Sequence, residues 1–470
     1  FAIAGQPRDV LRARVDPHLE IQRELSPLSQ YRSYFTDERY DEVLFAVVSG
    51  ADRVRLATLP FHDGQLARVL DPTAPGGDQS TAFTRVPSRL PAPAGTRAVS
   101  ADVTLVDYDE IWMPTVGALT SVQFRSGDTG ALADGFFYSV PAQMGVQLAE
   151  RSAEAPVGYH LEAAVPRTVP ALESLTPGRS SPAFDSRVVP ESLTEWIRAQ
   201  GAPTGGEGLA VLIERLRARG YLSHALTIDP DDPPRWRAEL GQAAFEPSRA
   251  GHSTDRIDAL FTALLERQNE VGDTEDDERL VAAVGDDEQF AVAGAMIADQ
   301  LGFETRIVLG ARLASDDLPA CEAGVCRGGD LAAWIEVRDA AGVWVPVDVT
   351  PQHEVGMSPD NEQNRDPEVP TQVRRDEAEQ VLPGEADPAE RGARDDDPLD
   401  TGADLGALWA VLRATGLSLA ILLAVTGPFL LVLLVKALRR RARRRADDTV
   451  ARVTGGGDEY LDTAIDVGLT

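Results

Sequence analysis

The chain has 470 residues, enough for two or three domains with substantial cores. Its formal net charge is −30 and its pI near 4.6, which argues against a nucleic-acid partner, because no excess of cations is available to replace phosphate counterions. Lys436 is the sole lysine, a bias that fits genomic codon preference better than a functional device.

The chain opens on Phe1 rather than Met and stops at Thr470, as expected of a piece of a longer protein. Residues 1–40 are polar, with Asp16-Pro17 and Ser26-Pro27 marking turns, and read as an N-terminal connecting segment. Over 41–170 the text changes to short runs such as Val43 to Val48, Val54 to Leu59, Val103 to Val106 and Tyr159 to Val165, separated by Gly, Pro and Asp. Runs of this kind without helical periods predict a β-rich sandwich or barrel. A Pro- and Ser-rich loop from Thr168 to Pro190 then leads into helical text. Glu191 to Gln200 and Leu209 to Arg219 carry apolar residues at helical spacing, Gly220 is a stop, and Ser253 caps a third helix with Ile257, Leu260, Phe261 and Leu264 as its stripe. The acidic run from Asp273 to Glu278 lacks the alternating carboxylates and central Gly of a calcium loop and reads as a solvated loop.

Val284 to Pro351 holds the most specific spacings. Gly285-Asp286-Asp287-Glu288-Gln289-Phe290-Ala291 opens a helix whose Phe290, Ala293, Ile297 and Leu301 share one face, and Gly302 ends it. Strands are predicted at Arg306 to Gly310, Asp330 to Val337 and Trp344 to Pro351. Between the first two lie the only cysteines, Cys321 and Cys326. Metal binding would need two further ligands, so a loop-pinning disulfide is the expectation, provided the compartment is oxidising. No pattern asks for a cofactor or a metal.

Residues 356–404 are rich in Asp, Glu, Pro and Arg and cannot bury enough surface to fold, so they read as an acidic disordered linker. Within 405–437, Ala414 to Val435 runs without a charge, and at about 1.5 Å per residue it can cross a ~30 Å hydrocarbon core. Arg439-Arg440-Arg441-Ala442-Arg443-Arg444-Arg445 follows in the basic segment 438–470, which the positive-inside rule places in the cytoplasm. Residues 1 to about 404 are then extracytoplasmic, which agrees with a disulfide.

A helix followed by Ala332-Ala333-Trp334-Ile335-Glu336-Val337 and by Trp344-Val345-Pro346-Val347-Asp348-Val349-Thr350-Pro351 resembles the transglutaminase-like superfamily. The β-rich half is similar to the region preceding that core in bacterial membrane proteins of the TgpA type, at Arg53 to Leu59 and Ile111 to Gly117. The resemblance implies an α+β fold in which a papain-like transglutaminase core at 190–355 follows the β-rich domain and precedes the transmembrane helix. The family pattern is Gly-x-Cys-x-x-Phe-Ala, then His-Ala-Trp-x-Glu-Val, then Trp-x-x-x-Asp-x-Thr-Pro. A helix N-terminus favours the Cys thiolate, the His is the base, and the Asp orients it.

In this chain the family's Cys falls on Asp287, its His on Ala332 and its Asp on Asp348. The triad is therefore not intact. A first-turn carboxylate complements the helix dipole by about 0.3–1 kcal/mol when exposed, so Asp287 reads as comfortable and inert. The leading expectation is a pseudoenzyme at the cell envelope that binds a peptide or protein partner. Two enzyme readings stay open, one with Cys321 or Cys326 as a displaced nucleophile and one with Asp287 and Asp348 as an acid–base pair. A structural subunit of a membrane complex is the remaining alternative.

Overall fold

The computed structural model describes residues 16–71, 82–86, 88–151, 156–179, 184–240, 244–272, 274 and 276–357. The expected linker from 358 onward, the transmembrane helix at 405–437 and the basic segment lie outside the described residues, as do residues 1–15. Among the described residues no helix is long and apolar enough to cross a membrane.

The β-rich region contains a five-stranded antiparallel sheet in the order Val325–Arg327, Val43–Ser49, Thr96–Leu105, Gly158–Pro166, Ala118–Phe124. Along Thr96–Leu105, Val99, Ala101, Val103 and Leu105 are buried while their neighbours are not, the alternation of a sheet with one wet face. A four-stranded sheet of Phe83–Arg85, Phe136–Ser139, Met144–Gln147 and Trp112–Met113 accompanies it.

A second four-stranded antiparallel sheet carries the three strands expected around the motifs. Its order is Trp344–Val347, Leu331–Arg338, Glu304–Arg312, Arg53–Leu59. The last of the expected strands stops at Val347, so Asp348 to Pro351 leave the sheet as a loop. The two large sheets exchange edges: Arg53–Leu59 pairs with Glu304–Arg312, and Val325–Arg327 pairs with Val43–Ser49. Gly310 permits the first exchange. A Cβ there would lie 2.1 Å from the Val54 carbonyl oxygen and 2.7 Å from the Trp334 ring. The exchange is also held by charge. Glu336 accepts from Arg55 Nε at 2.7 Å and from Arg306 Nε at 2.8 Å, and these two cations hold its carboxyl down at about 2 against the effect of burial.

Helices Glu191–Gln200, Gly205–Arg219 and Thr254–Val271 form where the apolar spacing predicts them, and Ser253 caps the last by accepting from the Arg256 amide. The helix Asp287–Gln300 differs from its expectation. It is buried all round, from Asp287 to Asp299, rather than along one face. The sheet, the helix Gly205–Arg219 and residues 27–35 all pack on it, and its Ala and Gly content lets them approach. At Gly294, for instance, a Cβ would stand 2.8 Å from Val349.

Candidate functional site

The short parallel pair of Gly220–Leu222 with Ala283–Gly285 delivers the chain to the start of this helix. Asp286 is the N-cap, its Oδ1 accepting from the Glu288 amide at 3.0 Å, while Gln289 Oε1 accepts from the Asp286 amide at 2.9 Å. This reciprocal capping box fixes the first turn and aims three consecutive acids, Asp286, Asp287 and Glu288, into the protein. All three are buried. The dipole contribution of an exposed first-turn acid therefore does not describe Asp287: acids in a first turn default to solvent, but here a separate segment covers them.

That segment is Pro27–Phe35, a 3-10 helix within the residues read as a polar connector. Leu28, Tyr31 and Phe35 are buried, at a spacing of three and four that marks an apolar face. Tyr31 Oη donates to Asp287 Oδ2 at 3.3 Å. Phe35 stacks on the His224 ring with centroids 3.7 Å apart, and Trp236 meets that ring edge-on at 5.2 Å. Arg32 enters the acidic turn. Its Nε lies 2.7 Å from Asp286 Oδ2 and 3.8 Å from Glu288 Oε2. It also donates to the Ser248 carbonyl at 2.6 Å and hydroxyl at 2.7 Å.

Asp287 is the first residue of the helix and 3% exposed. Its Oδ2 also accepts from the Ala333 amide at 3.2 Å, which places it against the strand that carries Ala332. Its Oδ1 is buried and makes no hydrogen bond of good geometry. Burial pushes its carboxyl above the ordinary value, opposed by the Arg312 guanidinium and the Thr350 hydroxyl. Burial, with the neighbouring carboxylates, likewise pushes the Tyr31 phenol well up. Ala332 packs with Val308 and Trp334, offering no proton acceptor.

Asp348 stands at the other end of the site. Arg53 grips it in bidentate fashion at 2.9 and 2.5 Å, and Arg312 Nε donates to it at 2.9 Å. Burial alone would raise its carboxyl, but the two guanidinium groups hold it at about 2. Arg312 Nη2 donates onward to Thr350 at 3.1 Å. Arg312 thus acts on both acids, bonded to Asp348 and lowering Asp287 through space.

Three histidines unassigned from sequence gather around this turn. His224 Nδ1 lies 3.7 Å from Asp286 Oδ2. His252 Nδ1 is 2.7 Å from Glu288, and its Nε2 accepts from the Ala67 amide at 2.8 Å, so the proton sits on Nδ1 and points at the carboxylate. His62 Nε2 donates to the His252 carbonyl at 2.9 Å, and burial pulls its pKa down to about 4. These histidines secure a buried acid and a loop, and none of them contacts Asp287 or Asp348 by hydrogen bond or ion pair.

Cys321 and Cys326 form a disulfide with Cα atoms 4.6 Å apart. It closes the hairpin whose strand Val325–Arg327 borders Val43–Ser49. The displaced-thiol reading is corrected by this pairing, since both sulfurs are consumed in the disulfide.

The Transglutaminase-like superfamily profile matches residues 242–349. Among solved structures, the crystal structure of the periplasmic domain of TgpA from Pseudomonas aeruginosa is similar at 14% identity and a TM-score of 0.37, covering 68% of this chain and 90% of that one. The same domain bound to ethylmercury gives 14% identity and 0.37, over 69% and 94%. No curated protein matches the chain. Residues 242–349, which include the helix start, the Trp334 strand and Asp348, are therefore a transglutaminase-like domain.

Proposed function

We propose that the chain is a catalytically degenerate transglutaminase-like membrane protein of the TgpA type, acting at the cell envelope by binding a peptide or protein partner rather than by acyl transfer. The observation that carries this reading is Asp287: where the family places its thiolate, this chain has a carboxylate that is 3% exposed and covered by Tyr31. A carboxylate oxygen lacks the soft nucleophilicity of a thiolate, and Ala332 supplies no base to activate a nucleophile. The extracytoplasmic placement is supported by the disulfide and by the arginine cluster following the apolar run Ala414 to Val435.

One observation favours the acid–base reading. Asp287 is pushed up while Asp348 is held at about 2, the split that paired carboxylates need. Three guanidinium hydrogen bonds occupy Asp348, however, and Asp287 faces protein, so neither presents a free oxygen to a substrate. A structural subunit remains the other alternative. It would predict a stable partner that still co-purifies from detergent when the site is filled by mutation.

The test of degeneracy is the full chain in detergent, assayed for amine incorporation into glutamine peptides and for peptide hydrolysis, beside Asp287→Cys with Ala332→His. No turnover is expected from the natural chain, and measurable turnover would overturn the reading. The double variant is expected to stay slow while residues 27–35 cover the turn, with an ordinary, unactivated thiol.

A further inference from the structure

The acidic turn is built to hold one kind of group. Arg32 meets a main-chain carbonyl and a hydroxyl from Ser248, the Gln289 amide oxygen at 3.5 Å, and the carboxylates of Asp286 and Glu288. These acceptors come from two directions, the loop before His252 and the helix start, and so match the flat, five-donor fork of a guanidinium. An ammonium presents its three donors from a single point and cannot span them. The walls are buried, whereas Arg32 keeps 12% of its side chain exposed and arrives on a separate covering segment.

The guest is also imperfectly seated. Asp286 Oδ2 and Arg32 Nε are 2.7 Å apart but misaligned for a hydrogen bond, leaving a fully buried carboxylate oxygen without one. We propose that this pocket is a guanidinium receptor, filled in cis by Arg32, and that a peptide partner is recognised by an arginine that takes Arg32's place.

The inference rests on the reading that the chain works by binding a peptide or protein. Simple opening of the segment would take the guanidinium from Asp286 and Glu288, leaving Glu288 to His252 and the Gly251 amide and Asp286 beside His224. Exchange for another guanidinium avoids that state, which couples uncovering of the turn to arrival of the partner. The net charge of −30 draws basic segments toward the protein. Because a tethered guest acts at ~mM effective concentration, the partner needs contacts beyond its arginine to win.

Two measurements on the full chain in detergent test this. In Arg32→Ala, acetyl-arginine methylamide at fixed ionic strength is expected to raise the unfolding midpoint saturably, with the lysine analogue at least tenfold weaker and the natural chain unresponsive. Equal responses to the two probes, or none in a folded variant, would overturn the receptor. Should Arg32→Ala fail to fold, Arg32→Lys keeps a cation in place and takes the same titration.

In Asp287→Cys the two natural cysteines stay paired, so the new thiol under Tyr31 is the reporter. Acetyl-Tyr-Arg-Ser-amide, a copy of the covering segment, is expected to speed its alkylation at least tenfold and the lysine twin to leave it unchanged. No acceleration at saturating peptide would overturn exchange. Neither measurement reads acyl transfer, so turnover by the natural chain would sink the functional reading and leave these results to stand or fall separately.

Discussion

The two ends of the site deal with buried negative charge in opposite ways. At the strand end a single acid, Asp348, is held by two arginines, Arg53 and Arg312, both anchored in the central sheet. At the helix end two of three consecutive acids, Asp286 and Glu288, share one guanidinium in ion-pair contact, Arg32, and that one arrives on a covering segment. Asp348 is fixed by cations that belong to the sheet. Asp287, at the helix start, carries a buried oxygen without a hydrogen bond of good geometry. Two carboxylates of the same chemistry are thus pushed in opposite directions by what the fold places beside them.

The largest effect should follow from removing the residue that serves both ends. Arg312→Leu leaves Asp348 with one partner and Asp287 with no cation on its strand side. A loss of about 3–5 kcal/mol in chemical denaturation is expected, as for breaking a buried pair. A loss below about 1 kcal/mol would mean that Arg53 alone neutralises the strand end.

Next comes the acid limb. Asp348 is depressed from 3.8 to about 2 in the folded protein, so its stabilisation is fully present above the unfolded value and disappears as pH falls through the folded one. About 2 kcal/mol should be lost over that window, at 1.36 kcal/mol per unit. Asp348→Asn should flatten this limb, and an unchanged slope would sink the assignment.

Smallest, and of opposite sign, is Asp287→Asn. A group whose folded pKa is raised destabilises the fold once it must ionise, so the amide should be more stable than the acid at neutral pH. Below the unfolded carboxylate pKa the advantage should vanish. A destabilised Asp287→Asn at pH 7 would show that the charge is needed where it stands.

The motif-bearing strands and the helix start were legible because their signals are local: Phe290 and Ala291 after Gly285, Trp334 within a β-branched run, Asp348 before Thr350 and Pro351. The disulfide was legible from scarcity, two cysteines and no further ligands. The covering segment was not, although Leu28, Tyr31 and Phe35 carried a helical spacing that the polar text around them hid. Its partners are remote, with Tyr31 and Asp287 separated by 256 residues and Arg32 and Ser248 by 216. Burial of Asp286 to Glu288 was illegible for the same reason. Acids are rarely buried unless paired, and their partners lie in other parts of the chain.

The exchange of edge strands sets a timetable for making this protein. Strand Arg53–Leu59 finds its sheet neighbour only when Glu304–Arg312 has been synthesised, and Arg55 finds Glu336 281 residues further on. At ~5–20 residues per second that is a wait of roughly 10–60 s. For that interval the chain carries an apolar strand with an open edge, the kind of template on which nascent chains aggregate. Whatever holds the nascent polypeptide must shield that edge until the second half arrives, and a fragment beginning after the β-rich region would lack the strand that completes its own core.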